Sequence, residues 1–412
     1  MPASPSALPP SRPPVPRGSR RDFLASAGIA AAGMCMAREA LGSDNPAAQV
    51  ADRAASIRIR SLKAVPVKGN LYIKIDTNEG VFGWGETAGV EPRVAAELAR
   101  SLFRLLDGEN PTRIEYLWQK LYRSHRDIRG GPFMVHVISA IDMALWDIAG
   151  KLHGVPVYRL LGGPVRDKIR YYSHPKALKV PPGGIYGHSG TPSDIEKMVK
   201  AVSAAREKVG PDGAVIFDAH CAVPPVTLIQ FASAIKAQDV LFIEEPAVPG
   251  NIEVFKRLKA AINIPLAAGE RDRTIWEFIP YLQEKCLDIL QPDVSHSGGI
   301  TQMIKIATLA EAFHTPLAPH CTNTLVGISA SLHAIAAVPL FLIHECYFGN
   351  HKEKDAIRAA FVADKDGHIG LPLGPGLGVE IDETALDELS NNPALQWKWP
   401  TMRLKDGSIA DY

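Results

Sequence analysis

An excess of charge of either sign is missing from this sequence: 45 Lys and Arg residues stand against 44 Asp and Glu, a net charge of +1. It has no basic run long enough to neutralise a line of phosphates, so nucleic acid is not expected as a partner. Cysteine is scarce, with five in 412 residues and no CxxC pair, which excludes a disulfide scaffold. The hydrophobic fraction of 46% and charged fraction of 22% are ordinary for a soluble globular chain, and exclude global disorder, a collagen repeat and a bundle of membrane spans. What remains is a folded protein long enough for two or three domains.

The opening stretch, residues 1–45, differs in composition from the rest. A Pro/Ser/Arg-rich start leads to Ser19-Arg20-Arg21-Asp22-Phe23-Leu24 and then to a small-residue apolar run from Ala25 to Ala37. Twin arginines before a modest apolar run match a twin-arginine export signal, and the run is shorter than the ~20 residues that span a bilayer. Cleavage near Ala40 to Ala47, a periplasmic or exported location and no stable membrane anchor are therefore expected.

From Ile57 the pattern becomes that of strands. Ile57 to Val67 and Leu71 to Asp76 alternate around Lys68-Gly69-Asn70, which predicts an antiparallel hairpin. Helical periodicity follows over Val94 to Leu106, Arg113 to Tyr122 and Val135 to Leu152, so residues 57–164 read as an α+β domain that ends at Gly162-Gly163-Pro164. Over residues 165–375, short apolar runs that end in polar residues alternate with amphipathic helices. Six or more such βα units in succession favour a (β/α) barrel over an open sheet. Residues 376–412 are expected to return to the first domain.

The chemistry lies at the strand ends, where such barrels place their active sites. Asp218, Glu244 and Glu270 close successive strands at a constant interval of 26 residues. Three like charges at one mouth require a cation between them, and an all-oxygen set suits Mg2+ better than Zn2+. Strand alternation aims Glu245 to the other side, as an outer support of the site, and puts His220 on the same side as Asp218. Asp293 and His320 end consecutive strand candidates, an arrangement in which the carboxylate fixes the imidazole tautomer of a general base. Glu345 ends the last strand. Cys221, Cys321 and Cys346 each follow one of these residues; alternation turns them away, so they read as packing thiols rather than as a zinc site. His125, His136, His153, His188, His314, His333 and His344 read as core or surface residues, and His296 as a turn residue.

Gly83-Trp84-Gly85-Glu86, Ala144-Leu145-Trp146-Asp147, Leu160-Leu161-Gly162-Gly163, Ile243-Glu244-Glu245-Pro246, Ala268-Gly269-Glu270-Arg271, Pro292-Asp293, Ala318-Pro319-His320-Cys321 and Pro375-Gly376-Leu377-Gly378 together resemble the mandelate racemase-like branch of the enolase superfamily, and within it the acid-sugar dehydratases typified by galactonate dehydratase. The resemblance runs from about Ile57 to the C-terminus. It implies an α/β fold, a modified TIM-type (β/α)7β barrel under an N-terminal α+β capping domain, with Asp218, Glu244 and Glu270 as Mg2+ ligands. It also implies that His320, backed by Asp293, removes the C2 proton of a sugar acid. Glu345 would hydrogen-bond the ene-diolate and His220 would help the 3-hydroxyl leave, giving a 2-keto-3-deoxy acid. A homo-oligomer is expected.

One feature departs from that pattern. The first two barrel strands, Ile169 to Ser173 and Ala177 to Val180, are separated by only His174-Pro175-Lys176, whereas a parallel crossover needs a dozen or more residues. Either the two runs form one long strand or the barrel is short by one βα unit and partly open there, and the loop from Pro181 to Gly190 is expected to lie over the mouth. A racemase or epimerase on the same scaffold, for which Lys179 is the one candidate second base, is the alternative activity. A non-catalytic exported sugar-acid binding protein is the alternative outside catalysis.

Overall fold

The computed structural model describes residues 56–184, 190–348, 353, 356–399, 401–404 and 406–410. The twin-arginine segment and residues 185–189 of the loop after Val180 lie outside them.

The chain begins with an antiparallel meander of β1 (Ile59–Val67), β2 (Asn70–Thr77) and β3 (Phe82–Thr87). The predicted hairpin turns at Lys68, which takes φ 54°. Three helices follow, α1 (Pro92–Leu102), α2 (Ile114–Ser124) and α3 (Pro132–His153), then the single turn α4 (Val157–Leu160). Apolar on all sides, α3 is long enough to cross a membrane, yet 89% of its apolar window is buried within the fold, which makes it a core helix. The Gly-Trp-Gly motif explains how β3 lies so close to it. A Cβ at Gly85 would stand 1.8 Å from the Ala140 carbonyl oxygen, and one at Gly83 would stand 2.0 Å from that of Ala144, so only glycine fits.

The second domain opens with β4 (Lys168–Tyr172) and β5 (Ala177–Val180). It continues as α5 (Pro192–Val209), β6 (Ala214–Asp218), α6 (Pro225–Ala234), β7 (Phe242–Glu244), α7 (Ile252–Ala261), β8 (Leu266–Ala268), α8 (Thr274–Glu284) and β9 (Ile289–Leu290). Then come α9 (Gly299–Ala312), α10 (Leu325–Ala337) and β10 (His344–Glu345). The parallel ladder runs unbroken from β5 to β9, and single parallel bridges carry it through Leu290, Leu317 and Phe341. β10 then pairs in parallel with β4, Glu345 opposite Tyr172. The result is a modified (β/α) barrel. At the shortened unit no helix intervenes: the Ser173 and His174 N–H groups bond the Ala177 carbonyl, so a turn with Ser173 at φ 75° replaces the crossover.

After the barrel, β11 (Ile357–Ala359) pairs with β13 (Val379–Ile381), and β12 (His368–Gly370) adds antiparallel to β4. The last helix, α11 (Glu383–Asn391), lies against the meander, where Lys63 bonds Asp387 at 2.7 Å and Lys74 bonds Glu383 at 2.6 Å.

Buried carboxylates pin the two domains together. Glu86, at the end of β3, accepts hydrogen bonds from Thr324 N (2.8 Å), Thr324 Oγ1 (2.6 Å) and Gly327 N (2.9 Å), capping α10. Asp142 of α3 does the same for Thr301 near the start of α9, at 3.0 Å to its N–H and 2.5 Å to its hydroxyl. Asp147 joins Trp84 N (3.0 Å) to Leu377 N (2.8 Å), which accounts for the distant Pro375-Gly376-Leu377-Gly378 motif.

Candidate active site

Because β6 and β7 pair with Asp218 opposite Glu244, two of the predicted acids end side by side. They meet a cation of the chain itself. Lys179 on β5 places its Nζ 3.0 Å from Asp218 Oδ2, 2.8 Å from Glu244 Oε1 and 2.7 Å from Glu345 Oε1. Tyr172 at the end of β4 donates to the other Glu244 oxygen at 3.1 Å. Burial raises the Glu244 carboxyl, and Lys179 only partly offsets it. Burial opposes the charge on Lys179, but Glu244, Glu345 and Asp218 outweigh it and hold the ammonium well above its ordinary value.

Glu270, just past β8, stands further round the mouth, its Oε1 3.8 Å from His320 Nε2. Ligating atoms of Glu270, Glu245 and His220 lie within 4.8 Å of one another. This corrects the expectation that Glu245 points away from the site. Strand geometry ends at Glu244, Glu245 takes φ 44°, and alternation no longer governs its side chain. Arg271 clamps it at 2.6 and 2.9 Å; burial opposes ionisation, and the guanidinium prevails to hold this carboxyl below its ordinary value. His220 likewise reaches the mouth through left-handed backbone at His220 and Cys221, its N–H donating to Asp218 Oδ1 at 2.7 Å, and not by strand alternation. Cys221 donates to Glu245, while Cys321 and Cys346 are buried; none of the three joins a metal-like cluster among the described residues.

The Asp293–His320 pair is formed: His320 Nδ1 donates to Asp293 Oδ2 at 2.6 Å. Asp293 is held in turn by Ser295 N (2.6 Å), Ser295 Oγ (2.7 Å) and Asn323 Nδ2 (3.1 Å), supports that the sequence reading missed. With Asp293 fixing Nδ1–H, His320 turns Nε2 toward Glu270 and toward Glu345 Oε2, 3.7 Å away. Burial disfavours a charged imidazole here, but Glu270, Glu345 and Asp293 outweigh it and hold His320 well above its ordinary value. The cap reaches this loop directly, through Thr87 Oγ1 to the Ser295 carbonyl at 2.8 Å and Trp118 Nε1 to that of Gly298 at 2.8 Å.

The donor set fits a hard divalent cation. Asp218 and Glu244, two of the three predicted ligands, already converge with Glu345 on one positively charged nitrogen, whereas Glu270, the third, stands by His320 instead; buried Glu345 Oε2 has no hydrogen-bond partner. Beside this cluster a cavity of about 390 Å3 opens among Pro181–Gly184, Asp218, His220, Ala222 and Met402.

This fold and site define a class. Residues 49–162 match the mandelate racemase / muconate lactonizing enzyme N-terminal domain and residues 166–385 the enolase C-terminal domain-like family, so the chain belongs to the mandelate racemase/muconate lactonizing branch of the enolase superfamily. It is 37% identical over 372 residues to D-galactonate dehydratase of Ralstonia pickettii, covering 83% of this chain and 96% of that protein. To D-galactonate dehydratase of Variovorax paradoxus it is 38% identical over 370 residues, with the same coverage. A solved enolase from Agrobacterium radiobacter with sodium and L-malate bound superposes with a TM-score of 0.78 at 31% identity, over 86% of this chain and 99% of that one.

Proposed function

We propose that this protein is a Mg2+-dependent dehydratase of a sugar acid, a hydro-lyase that removes the C2 proton and the 3-hydroxyl of an aldonate to leave a 2-keto-3-deoxy acid. The observation that carries this reading is the Asp293–His320 dyad at 2.6 Å, its free Nε2 turned toward Glu270 just past β8 and Glu345 on β10. Pure binding of an acid needs no oriented base, so the dyad favours catalysis over a binding protein. The curated relatives named D-galactonate dehydratase support the substrate class.

Asp218, Glu244 and Glu270 would hold the divalent cation. When bound, it supplies positive charge against the substrate carboxylate, without which a C2 proton is too weakly acidic for an imidazole. With Glu270 given over to the cation and the ring neutral, His320 would take that proton at Nε2, its tautomer fixed by Asp293, while Ser295 and Asn323 keep Asp293 from turning. His220, beside Asp218, gives a proton to the departing 3-hydroxyl. Burial would raise the Glu345 carboxyl, but Lys179 and His320 hold it below its ordinary value. As an acceptor bonded to Lys179 it has no proton for an ene-diolate, so its donor role requires that pairing to be released. The N-terminal twin-arginine segment supports export of the folded enzyme.

Lys179 favours one second reading. It faces His320 across Glu345, the place for a second base in an epimerase on this scaffold. Both readings are tested by incubating the Mg2+-loaded protein with a panel of aldonic acids. Keto-acid formation supports dehydration, inversion at C2 without keto acid supports epimerisation, and neither product with any acid contradicts both.

A further inference from the structure

The loop after Asp293 brings a second imidazole to the mouth. His296 Nδ1 lies 2.9 Å from the backbone carbonyl of Glu270. A carbonyl only accepts, so Nδ1 carries the hydrogen, and in the neutral ring Nε2 is left with a lone pair. The ring stacks on His136 of α3 at 4.4 Å between centroids and 11° between planes, and His136 Nδ1 is held the same way by the Ala88 carbonyl at 2.8 Å. Two carbonyls thus set two tautomers, and the stack sets the plane.

His296 stands 5.9 Å from His320, centroid to centroid, and ligating atoms of Asp293, His296 and His320 lie within 4.8 Å of one another. Its Nε2 makes no hydrogen bond among the described residues. What faces it is Gly89 of the capping domain, exposed and at φ 76°; a Cβ there would sit 3.3 Å from Nε2. The missing side chain leaves the lone pair open at the seam between the cap and the base.

We infer that His296 is a substrate-binding residue whose Nε2 accepts a hydrogen bond from one hydroxyl of the polyol chain, so that the site selects a polyhydroxylated acid over the analogue lacking that hydroxyl. This rests on the sugar-acid reading above. A fixed lone pair discriminates, because a deoxy substrate lying against it leaves it unpaired. Gly89 belongs to the same device, since any side chain there would cover the acceptor.

The test is calorimetric binding of D-galactonate and its monodeoxy analogues to the Mg2+-loaded full chain. Wild type should bind one analogue about tenfold more weakly than the parent. His296→Phe, which keeps the stacked ring, should weaken the parent about tenfold and leave that one analogue unchanged. Gly89→Asn, compatible with left-handed backbone, should act in the same direction without touching the imidazole. Equal binding of the parent by wild type and His296→Phe overturns the inference, as does an equal loss for every analogue or a loss accompanied by lower Mg2+ affinity. If wild type binds D-galactonate and shows the coupling but never turns it over, the dehydratase reading fails and the His296 assignment stands. If wild type binds no member of the series, both fail.

Discussion

Replacing Lys179 by Met tests whether the ammonium stands where the divalent cation belongs. In the structure its Nζ meets Asp218, Glu244 and Glu345 at 2.7–3.0 Å, and its side chain is 21% exposed. Removing one member of a buried ionic cluster costs ~3–5 kcal/mol. The partial exposure places this case at the lower end, about 3 kcal/mol, or roughly 5 °C in the unfolding midpoint of the metal-free protein. If the cation takes the ammonium's place, wild type and variant should differ far less once loaded, because Asp218 and Glu244, the carboxylates that ammonium and cation would share, are then neutralised in both. A thermodynamic cycle requires the missing difference to reappear as affinity: about 2–3 kcal/mol, or roughly 30- to 150-fold tighter Mg2+ binding by Lys179→Met. Thermal unfolding with and without saturating Mg2+, together with calorimetric titration of Mg2+, measures both halves of the cycle. Equal Mg2+ affinity in the two proteins, or a stability loss that Mg2+ leaves untouched, would refute the reasoning.

Further outcomes follow from other contacts. Gly85→Ala forces a Cβ to 1.8 Å from a backbone oxygen that cannot rotate away, so β3 must shift; a stability loss of at least ~1–3 kcal/mol is expected in chemical denaturation. Burial works against ionisation of Asp293, but in the acid range, where both rings are protonated, His296 and His320 hold its carboxyl well below the ordinary range. A depressed folded value contributes stability that is complete above the unfolded pKa of ~3.9 and is lost as pH falls below it, so Asp293→Asn should flatten the acid limb of a stability–pH curve. His220→Asn should lower keto-acid formation by about 10²–10⁴ while still permitting exchange of the C2 hydrogen, since it removes only the acid that serves the leaving hydroxyl. Replacing Arg20 and Arg21 by Lys should leave uncleaved protein in the cytoplasm; normal processing would mean that the segment is no twin-arginine signal.

The strand-end acids were legible because a βα unit repeats at nearly constant length; Asp218 and Glu244 do end side by side on paired strands, while Glu270 follows two residues after β8. The dyad was legible for the same reason. Lys179 was harder to place, because the shortened turn at residues 173–176 removes the helix that would have marked its strand as a separate one. Glu245 was misdirected by a rule that stops applying at the strand end, whereas His220 reaches the expected place by another route: both have positive φ, and a period of two does not survive it. His296 reads as a turn residue and is one, since its N–H bonds back to the Asp293 carbonyl; its ring's place beside His320 is set by that turn and leaves no mark in the spacing. Ser295 and Asn323 left only weak marks, a hydroxyl two residues after Asp293 and an amide three after His320. After Ala359, strands of three residues carry no readable period, so β12 and β13 looked irregular.

The central claim is that His320 abstracts a proton from C2 of a sugar acid. The most direct measurement is NMR of the C2 hydrogen of D-galactonate in deuterated solvent with Mg2+-loaded protein, comparing wild type with His320→Asn. Wild type is expected to show exchange and keto-acid formation, with both lost by about 10²–10⁴ or more in the variant. Exchange that persists in His320→Asn at the wild-type rate would contradict it.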